Sequence, residues 1–428
     1  MKKWYSLIDK VYRLDNLEAA YKAVRANKGA PGVDGVTVEA YGQNLAEELR
    51  LLHQELKTGA YEPLPVRRVE IPKPDGEGVR KLGVPATRDR VVQQALLNVL
   101  QPIFDPGFHP SSYGYRPGRC CQSAVAKAER FLNRYQLEYV VDMDLSKCFD
   151  RLDHDLILQG VNQKVSDGSV LSLIRKFLVA GVMNDGAWEA TDVGSVQGGC
   201  FSPLIANIYL DRFDQEMKAR NIRIVRYADD ILIFARTKQE AGRYQQMATQ
   251  FLEGELKLTV NAKKTHITSV QQGVSYLGFV IYRKYVAINP KKIKALKDRV
   301  RELTPRNHGM NVEAMVKQLN PLLRGWANYF RIANCKKLFL ELMAWIRRRL
   351  RMKKMREWKS WKQLHKALRR RNYQGEVEKI SMTRWRNSAS PLINMALPNG
   401  WFDELGLINL ETFVVGNLRR YYAATEVC

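Results

Sequence analysis

Two adjacent acidic residues, Asp229 and Asp230, lie in an otherwise apolar stretch that reads Ile-Val-Arg-Tyr-Ala-Asp-Asp-Ile-Leu-Ile-Phe over residues 224–234. Apolar, β-prone residues on both sides of the pair predict the two arms of a β-hairpin that faces a core. Two carboxylates at the tip of such a hairpin repel each other unless a cation lies between them. Acidic residues also occupy hairpin turns for backbone reasons alone, so the pair by itself leaves both interpretations open.

The charge of the chain is strongly unbalanced. Its 428 residues include 69 Lys or Arg and 44 Asp or Glu, which gives a formal net charge of +25, and 45% of the residues are hydrophobic. That hydrophobic fraction is typical of a globular protein, and the length allows two or three domains. Such an excess of positive charge causes self-repulsion and usually indicates a polyanionic partner, first of all nucleic acid. A basic protein kept soluble by its charge is the simpler alternative.

Most of the excess charge lies in one region. Residues 291–371 contain 25 Lys or Arg and 5 Asp or Glu, a net charge of +20. Their apolar residues recur at helical spacing, which predicts a basic helical domain that begins near residue 287. No apolar run approaches the roughly 20 residues of a membrane span, and the six cysteines form no Cys-x-x-Cys pair. We therefore expect a cytoplasmic protein with reduced thiols, no zinc site and no membrane partner.

The remainder of the chain predicts a mixture of helices and strands. The first 60 residues are expected to be mainly helical, residues 64–85 to form a β-hairpin and residues 88–101 to form a helix. Tyr139 to Leu145 has the composition of a buried strand. Ser202 is predicted to be the N-cap of a further helix, since proline follows it.

A second apolar strand also carries acidic residues toward its C-terminal end, in the sequence Val140-Val-Asp-Met-Asp-Leu. Alternation along a strand places Asp142 and Asp144 on the same face. Nucleotidyl transfer by two metal ions needs carboxylates from separate segments, and carboxylate oxygens suit Mg²⁺. Asp144, Asp229 and Asp230 are therefore candidates to bind two Mg²⁺ ions, with Mn²⁺ as a substitute, and Asp142 is the competing candidate for the position of Asp144. The alternative is that these acids cap loops or pair with the abundant Arg and Lys.

In their order and content, these segments resemble a bacterial group II intron-encoded protein, which is a reverse transcriptase with an RNA maturase function. The Tyr-x-Asp-Asp form of residues 227–230 is similar to the active-site hairpin of reverse transcriptases, and the resemblance runs from about residue 28 to about residue 350. The chain looks like the shorter members that lack a DNA endonuclease domain. The resemblance implies an α+β, right-hand polymerase fold, with fingers and an antiparallel palm sheet followed by a helical thumb or maturase domain.

The resemblance also implies a division of the chain into domains. Residues 1–60 would form an N-terminal extension and the start of the fingers, and residues 61–286 the fingers and palm. Residues 287–375 would form the basic thumb and maturase domain. Residues 376–428 would form a small C-terminal module that is either DNA-binding or structural.

Several residues match family positions at the catalytic centre and the nucleotide. Asp144 matches the catalytic Asp of the first palm motif. Phe149 matches the aromatic residue beneath the nucleotide sugar, where a ring would crowd a 2′-hydroxyl and favour deoxynucleotides. Gln197, in the second palm motif, would contact the incoming nucleotide, and Lys264 would face its pyrophosphate.

Further matches concern the triphosphate, the template and the primer. Lys73 and Arg80 match fingers residues that clamp the incoming triphosphate, for which the forked guanidinium of arginine is well suited. Arg116 belongs to a segment that would line the template path. Tyr227 belongs to the active-site hairpin, and Gly278 to the strand that grips the primer. Taken alone, each of these residues is also explained by turn chemistry, core packing or surface charge.

By this resemblance, the chain would be an RNA-directed DNA polymerase that extends a DNA primer along an RNA template with deoxynucleoside triphosphates. It would also bind its intron RNA, assist splicing and support intron mobility by target-primed reverse transcription, with nucleoid association during mobility. One alternative is a domesticated relative that acts in DNA repair or phage defence. Others are a maturase with a dead polymerase and a metal-dependent nuclease that uses the same acids. The oligomeric state is left open, with a dimer as one candidate.

Overall fold

The computed structural model describes residues 3–72, 78–184, 186–195, 198–305, 309–358, 360–377 and 388–423. The chain divides into two compact units, which we call the N-terminal unit, Met1–Ser269, and the C-terminal unit, Val270–Ala423. This division precedes residue 287, where the charge pattern predicts the start of the helical domain, because a short three-stranded sheet after Ser269 belongs to the C-terminal unit.

The N-terminal unit mixes helices and strands. Its helices are α1 (Ile8–Tyr12), α2 (Leu14–Ala26), α3 (Val38–Gln43), α4 (Leu45–Thr58), α5 (Thr87–Phe104), α6 (Cys121–Asn133), α7 (His154–Asn162), α8 (Gly168–Val179), α9 (Ser202–Ala219) and α10 (Lys238–Gly254). Its strands are β1 (Val66–Pro72), β2 (Val79–Val84), β3 (Tyr139–Met143), β4 (Val182–Asn184), β5 (Ala187–Glu189), β6 (Arg223–Tyr227), β7 (Asp230–Ala235) and β8 (His266–Ser269). The predicted helical N-terminus, the β1–β2 hairpin, α5 and β3 are therefore confirmed.

One predicted helix boundary is wrong by a residue. Helix α9 begins at Ser202 itself, and Phe201 occupies the N-cap position that the sequence assigned to Ser202. Pro203 still lies in the first turn, where its missing N–H costs nothing because the first amides of a helix have no intrahelical acceptor. The helix thus forms as predicted, but without the expected side-chain cap from Ser202.

Four strands of the N-terminal unit form an antiparallel sheet in the order β6-β7-β3-β8. Helices α6, α9 and α10 pack against it. The residues of β7 from Ile231 to Ala235 are all buried, with exposed fractions of 1% or less. Truncating one of them, for example Leu232→Ala, would cost about 2–5 kcal/mol of stability. This sheet is the antiparallel palm sheet that the sequence predicted.

A second sheet has the strand order β2-β1-β4-β5, with β1 and β2 paired as an antiparallel hairpin. Strand β1 also pairs in parallel with β4. The turn residues 73–77 of the hairpin lie outside the described residues. No helix within the described ranges is long and apolar enough to cross a membrane.

The C-terminal unit begins with a small sheet and continues as helices. Its strands, in the order β11-β10-β9, are β9 (Val274–Tyr276), β10 (Phe279–Ile281) and β11 (Val286–Ile288). Its helices are α11 (Pro290–Leu303), α12 (Val312–Phe330), α13 (Lys336–Trp358), α14 (Trp361–Arg369), α15 (Pro391–Ala396) and α16 (Asn399–Glu404). The predicted helical character of the basic region is confirmed.

The segment after residue 388 packs onto α13 through arginine side chains. The Arg351 guanidinium donates Nε to the Leu397 carbonyl oxygen at 2.8 Å and Nη2 to Asn399 Oδ1 at 3.0 Å. Arg347 forms a largely buried ion pair with Glu411. These contacts attach the segment after residue 388 to helix α13.

Candidate active site

Asp229 and Asp230 lie at the tip of the β6–β7 hairpin. Ala228 and Asp229 form a two-residue turn, because Tyr227 pairs directly with Asp230. Ala228 has a φ of 58°, in the left-handed region that residues with a side chain rarely adopt. Two-residue turns that begin with a positive φ match the twist of the flanking strands. The predicted acidic hairpin tip is therefore confirmed, and its backbone is under local strain.

Asp144 follows β3 directly and lies beside the hairpin tip. Strand β3 pairs antiparallel with β7, with Met143 opposite Ile231, so the next position in that register places Asp144 opposite Asp230. Residues opposite each other in antiparallel strands project to the same face, with Cα atoms about 4.5–5.5 Å apart. Asp142, two residues before Asp144, shares that face. The structure therefore brings acids from two separate segments to one edge of the palm sheet.

The negative charges of these acids are unfavourable to one another. Desolvation by the surrounding protein raises the pKa of Asp230 to about 7, and the neighbouring carboxylates of Asp229, Asp142 and Asp144 contribute to this shift. Asp230 nevertheless keeps contact with solvent. Desolvation and the Asp144 carboxylate also raise the pKa of Asp229. Desolvation, with a smaller contribution from Asp144, raises the pKa of Asp142 to about 6. A cation between these carboxylates would relieve the repulsion.

The segment that follows α10 supplies polar partners for Asp144. Lys264 Nζ lies 3.7 Å from Asp144 Oδ2, and Asn261 Nδ2 donates a hydrogen bond to the same oxygen at 3.1 Å. The Asn261 backbone N–H donates to the Asp144 carbonyl oxygen at 2.8 Å. The predicted contact of Lys264 with pyrophosphate stays a prediction, but the side chain does lie at the acidic centre. Asn261 was missed as a site residue, although it lies three positions before Lys264 in the sequence Asn-Ala-Lys-Lys-Thr.

The carboxylate oxygens at this edge of the palm sheet are chemically suited to bind a divalent metal ion. Carboxylate oxygens are the ligands that Mg²⁺ prefers, and Mg²⁺ takes its other ligands from water and substrate. Within the described residues, no group of three or more His, Cys, Asp or Glu side chains is already close enough to hold a metal ion. Asp144 is instead paired with Lys264, so a metal ion would compete with this lysine and with protons for the carboxylates.

Two aromatic residues lie next to the acids. Phe149 is half-buried, and its ring centroid is 6.5 Å from that of Tyr115, at an interplanar angle of 78°. Tyr115 is 52% exposed and has a φ of 58°. Desolvation and the charges of Asp229 and Asp230 raise the pKa of Tyr115, whereas Arg80 opposes the shift. Phe149 thus packs near Tyr115, whose pKa responds to the charges of the hairpin tip, and Tyr115 is a candidate that sequence reasoning did not single out.

The glycine loop before α9 packs closely against the β1–β2 hairpin and α5. Gly198 has a φ of 129°, and a Cβ there would lie 2.4 Å from the Gly83 carbonyl oxygen. The Cys200 N–H donates to Gln93 Oε1 at 2.9 Å. Glycine is therefore required here by a close approach within the protein. Gln197, in this loop, and Lys73 lie outside the described residues, so their contacts with the nucleotide stay predictions.

Arg116 is a buried structural residue in this conformation. Its guanidinium donates to Asp105 Oδ1 at 2.7 Å and to the carbonyl oxygens of Asp105, His109 and Ser112. These bonds fix the conformation of the loop that also carries Tyr115. A direct contact of Arg116 with the template stays a prediction.

The other two residues assigned to the template and primer lie in separate β-hairpins. Tyr227 is half-buried at the end of β6 and pairs with Asp230. Gly278 lies in the C-terminal unit, in a two-residue turn between β9 and β10, where Leu277 and Gly278 have φ values of 48° and 83°. Tyr329 anchors this turn by donating its hydroxyl to the Leu277 carbonyl oxygen at 3.0 Å. The contacts of Tyr227 and Gly278 with nucleic acid stay predictions.

Residues 71–281 match the family model for reverse transcriptase (RNA-dependent DNA polymerase), and residues 293–373 match the group II intron maturase-specific domain. Protein YkfC of Escherichia coli (strain K12) is 37% identical over 307 residues, which cover 63% of this chain and 80% of YkfC. Group II intron-encoded protein LtrA of Lactococcus lactis subsp. cremoris is 28% identical over 335 residues, covering 63% of this chain and 55% of LtrA.

A solved structure of telomerase from Candida albicans in complex with a fragment of telomeric RNA is similar at a TM-score of 0.43 and 12% identity. The match covers 73% of this chain and 62% of the telomerase chain.

The palm sheet, its acidic hairpin and the matched domain define a reverse transcriptase, a class of enzyme that uses divalent metal ions. With the maturase-specific domain, the chain belongs to the group II intron-encoded reverse transcriptase and maturase family. It is accordingly an RNA-directed DNA polymerase with a role in intron splicing, and its two domains bind nucleic acid. The chain spans about half the length of LtrA.

Proposed function

We propose that Asp144, Asp229 and Asp230 are the catalytic residues with which this chain extends a DNA primer along an RNA template. The observation that carries the proposal is the register of the palm sheet, which places acids from two segments at one edge. The raised pKa values of Asp229 and Asp230 support the presence of a cation during function. Two Mg²⁺ ions, with Mn²⁺ as a substitute, suit these oxygen ligands.

Such ions, when bound, lower the pKa of the primer 3′-hydroxyl and stabilise the leaving pyrophosphate. The residues around the acids orient the deoxynucleoside triphosphate. The Phe149 ring would exclude a 2′-hydroxyl, and Arg80 and Lys73 would bind the triphosphate. Gln197 would contact the nucleotide, and Lys264, beside Asp144, would donate to phosphate oxygens.

We also propose that the RNA on which the chain acts in splicing is its own intron, and that the chain supports mobility by target-primed reverse transcription. Exposed cations support this function. On α14, Lys362 and Lys366 are exposed on the face opposite the buried Leu364 and Leu368. Such a surface would bind phosphates and RNA shape more than base edges. Arg116, Tyr227 and Gly278 would help to position the template and the primer.

We further propose a role for each part of the chain and a place in the cell where it acts. The N-terminal extension and the start of the fingers would comprise residues 1–60, and the fingers and palm residues 61–286. The thumb and maturase domain would comprise residues 287–375, and the C-terminal module residues 376–428. Action in the cytoplasm and at the nucleoid follows from the DNA target. The comparisons favour neither DNA repair nor phage defence over this function.

Primer extension on an RNA template tests the catalytic proposal. Asp229→Asn combined with Asp230→Asn is expected to lower the rate by a factor on the order of 10³ or more, because the metal-binding charge is lost. The control Asp155→Asn removes an exposed acid that pairs with Arg175, and should leave the rate unchanged.

The same proteins separate the two roles in a splicing assay. The Asp229→Asn and Asp230→Asn variant should still assist intron splicing, since binding of RNA does not need the polymerase acids. Undiminished DNA synthesis by this variant would refute the catalytic assignment. Loss of both functions would instead indicate that the substitutions damage the fold.

A further inference from the structure

A fully buried ion pair lies beneath the acidic hairpin tip. Arg226, on β6, and Asp214, on α9, are both 0% exposed. Arg226 Nε donates to Asp214 Oδ1 and Oδ2, each at 2.9 Å, and Nη2 donates to Oδ2 at 2.5 Å. Asn207, which is 1% exposed, lies two turns before Asp214 on the same face of α9. These three polar side chains form one network within the core.

One nitrogen of the guanidinium reaches the hairpin tip itself. Arg226 Nη1 donates to Asn207 Oδ1 and to the Ala228 carbonyl oxygen, each at 3.0 Å. Ala228 is the strained first residue of the turn, and a left-handed conformation costs an alanine roughly 1–2 kcal/mol. The hydrogen bond therefore secures an unfavourable conformation in the residue that immediately precedes Asp229.

The same network attaches the neighbouring loop to the tip. Asn207 Nδ2 donates to the Gly114 carbonyl oxygen at 2.9 Å, and the Tyr113 N–H donates to the Arg226 carbonyl oxygen at 2.8 Å. A Cβ at Gly114 would lie 2.3 Å from the backbone nitrogen of Ala228. The turn is thus held between the backbone of Gly114 and the guanidinium of Arg226.

Stability alone is a weak explanation for this arrangement. Removing two charges from water costs several kcal/mol per ion, and well-packed apolar residues of similar volume often replace a buried ion pair without loss of stability. An apolar pair would fill the space between β6 and α9, but it would not bind the Ala228 carbonyl oxygen. Apolar packing could therefore replace the ion pair, but not the hydrogen bond from Arg226 to the turn.

We propose that Arg226 is a positioning residue, whose guanidinium holds the Ala228 carbonyl oxygen and thereby orients Asp229 and Asp230 for DNA synthesis. The inference rests on the proposed function, in which these acids are catalytic. A misplacement of reacting groups by about 1 Å costs a rate factor on the order of 10². The hairpin therefore needs a fixed tip as well as the two acids.

The paired substitution Arg226→Met with Asp214→Leu tests this role, because it removes both charges and leaves no unpaired buried ion. We expect the variant to fold, with kcat of primer extension lowered about 10- to 100-fold and the KM for deoxynucleotides changed much less. The matched control is Arg88→Met with Glu55→Leu, which removes the partly buried ion pair between α4 and α5. This control should keep kcat within about twofold of the unmodified chain.

Hydrogen exchange supplies a readout that does not need polymerase activity. The amides of Asp229 and Asp230 should exchange at least about tenfold faster in the paired variant, with little change in the rest of β6 and β7. Should that variant not fold, Arg226→Lys keeps the charge against Asp214 but lacks the forked donors, and the same two changes are expected.

The two readouts separate the inference from the function on which it rests. Unchanged exchange at the tip, or a loss of kcat no greater than in the control pair, would overturn the positioning role. If the unmodified chain made no DNA, the proposed function would fail, whereas the exchange rates would still decide whether Arg226 holds the turn.

Discussion

Charge is used in opposite ways at the acidic hairpin tip and in the basic helices of the C-terminal unit. At the tip, three acids lie at positions fixed by strand register and by a strained turn. Residues 291–371 instead distribute 25 Lys or Arg along the chain, many of them on exposed helix faces. Catalysis depends on the placement of individual atoms, whereas binding a polyanion depends on summed charge. One substitution should therefore matter greatly at the tip and little in the helices.

In the basic helices, the number of Lys and Arg residues is larger than the number that is available to bind nucleic acid. Arg347 and Arg351 of α13 are 3% and 7% exposed, and both are occupied by contacts with the segment after residue 388. Burial and the neighbouring Arg347 lower the pKa of Arg351 to about 10. The net charge of +20 over residues 291–371 thus combines cations that hold the fold together with cations that face solvent.

The largest effect is expected at Asp144. Asp144→Asn should lower the single-turnover rate of primer extension by a factor on the order of 10³, because it removes the acid contributed by the second segment. The Kd for template and primer should stay within about twofold of the unmodified value. A rate close to that of the unmodified chain would show that the two segments do not form one centre.

An effect on selectivity is expected at Phe149. Phe149→Ala should narrow the preference for deoxynucleotides over ribonucleotides by about 10- to 100-fold, because the clash with the 2′-hydroxyl is removed. Competitive incorporation of the two nucleotide types measures this ratio. If Phe149 is only a core residue, the Tm will fall while the ratio remains unchanged.

A smaller effect is expected when two exposed cations of the C-terminal unit are replaced together. Lys362→Gln with Lys366→Gln should weaken binding of intron RNA by less than about tenfold at physiological salt, and reduce the salt slope by about 0.7–0.9 for each phosphate that is no longer neutralised. Filter binding over a series of salt concentrations measures both quantities. Lys218→Gln with Lys238→Gln, in the N-terminal unit, is a control of equal charge change. Equal decreases in affinity in both variants would show that total charge, and not α14, determines binding.

The smallest effect concerns His109, in the loop beside the hairpin. Burial lowers the pKa of His109 to about 4 from its ordinary value of 6.5, and Nδ1 accepts a hydrogen bond from the Ser111 N–H at 3.1 Å. A depressed folded-state pKa means that the folded chain binds fewer protons than the unfolded chain. The stability contributed by neutral His109 is therefore complete above pH 6.5 and is lost as the pH falls toward 4.

His109→Asn keeps an acceptor near the Nδ1 position but does not titrate. The decrease in Tm between pH 7 and pH 5 should therefore be smaller in this variant than in the unmodified chain. Thermal unfolding at several pH values measures the difference. Parallel curves for the two proteins would contradict the buried, neutral state of His109.

Local patterns predicted the features of the palm that depend on neighbouring residues. The hairpin around Asp229 follows from the apolar, β-prone residues on both sides of the acid pair, and the common face of Asp142 and Asp144 follows from the period of a strand. The resemblance to reverse transcriptases implied an antiparallel palm sheet, but the pairing of β3 with β7 was not predicted. Strand pairing is a long-range contact that periodicity does not specify.

The polar contacts of the site were not predictable in the same way. The bond from Arg226 to Ala228 joins an otherwise ordinary arginine to a carbonyl oxygen, and its partner Asp214 lies on a different element. Asn261 has the sequence context of a loop residue, and only the fold brings it to Asp144. Such contacts depend on how helices and strands pack, so a pattern within one segment does not reveal them.

The most direct test of the catalytic centre measures Mn²⁺ binding by electron paramagnetic resonance. The chain is mixed for this purpose with template, primer and a non-hydrolysable deoxynucleotide. Acids from both segments should contribute, so Asp144→Asn and Asp229→Asn should each weaken Mn²⁺ binding at least about tenfold. The control Asp155→Asn should bind as the unmodified chain does. Unchanged Mn²⁺ binding in Asp144→Asn would contradict a single metal centre formed by the two segments.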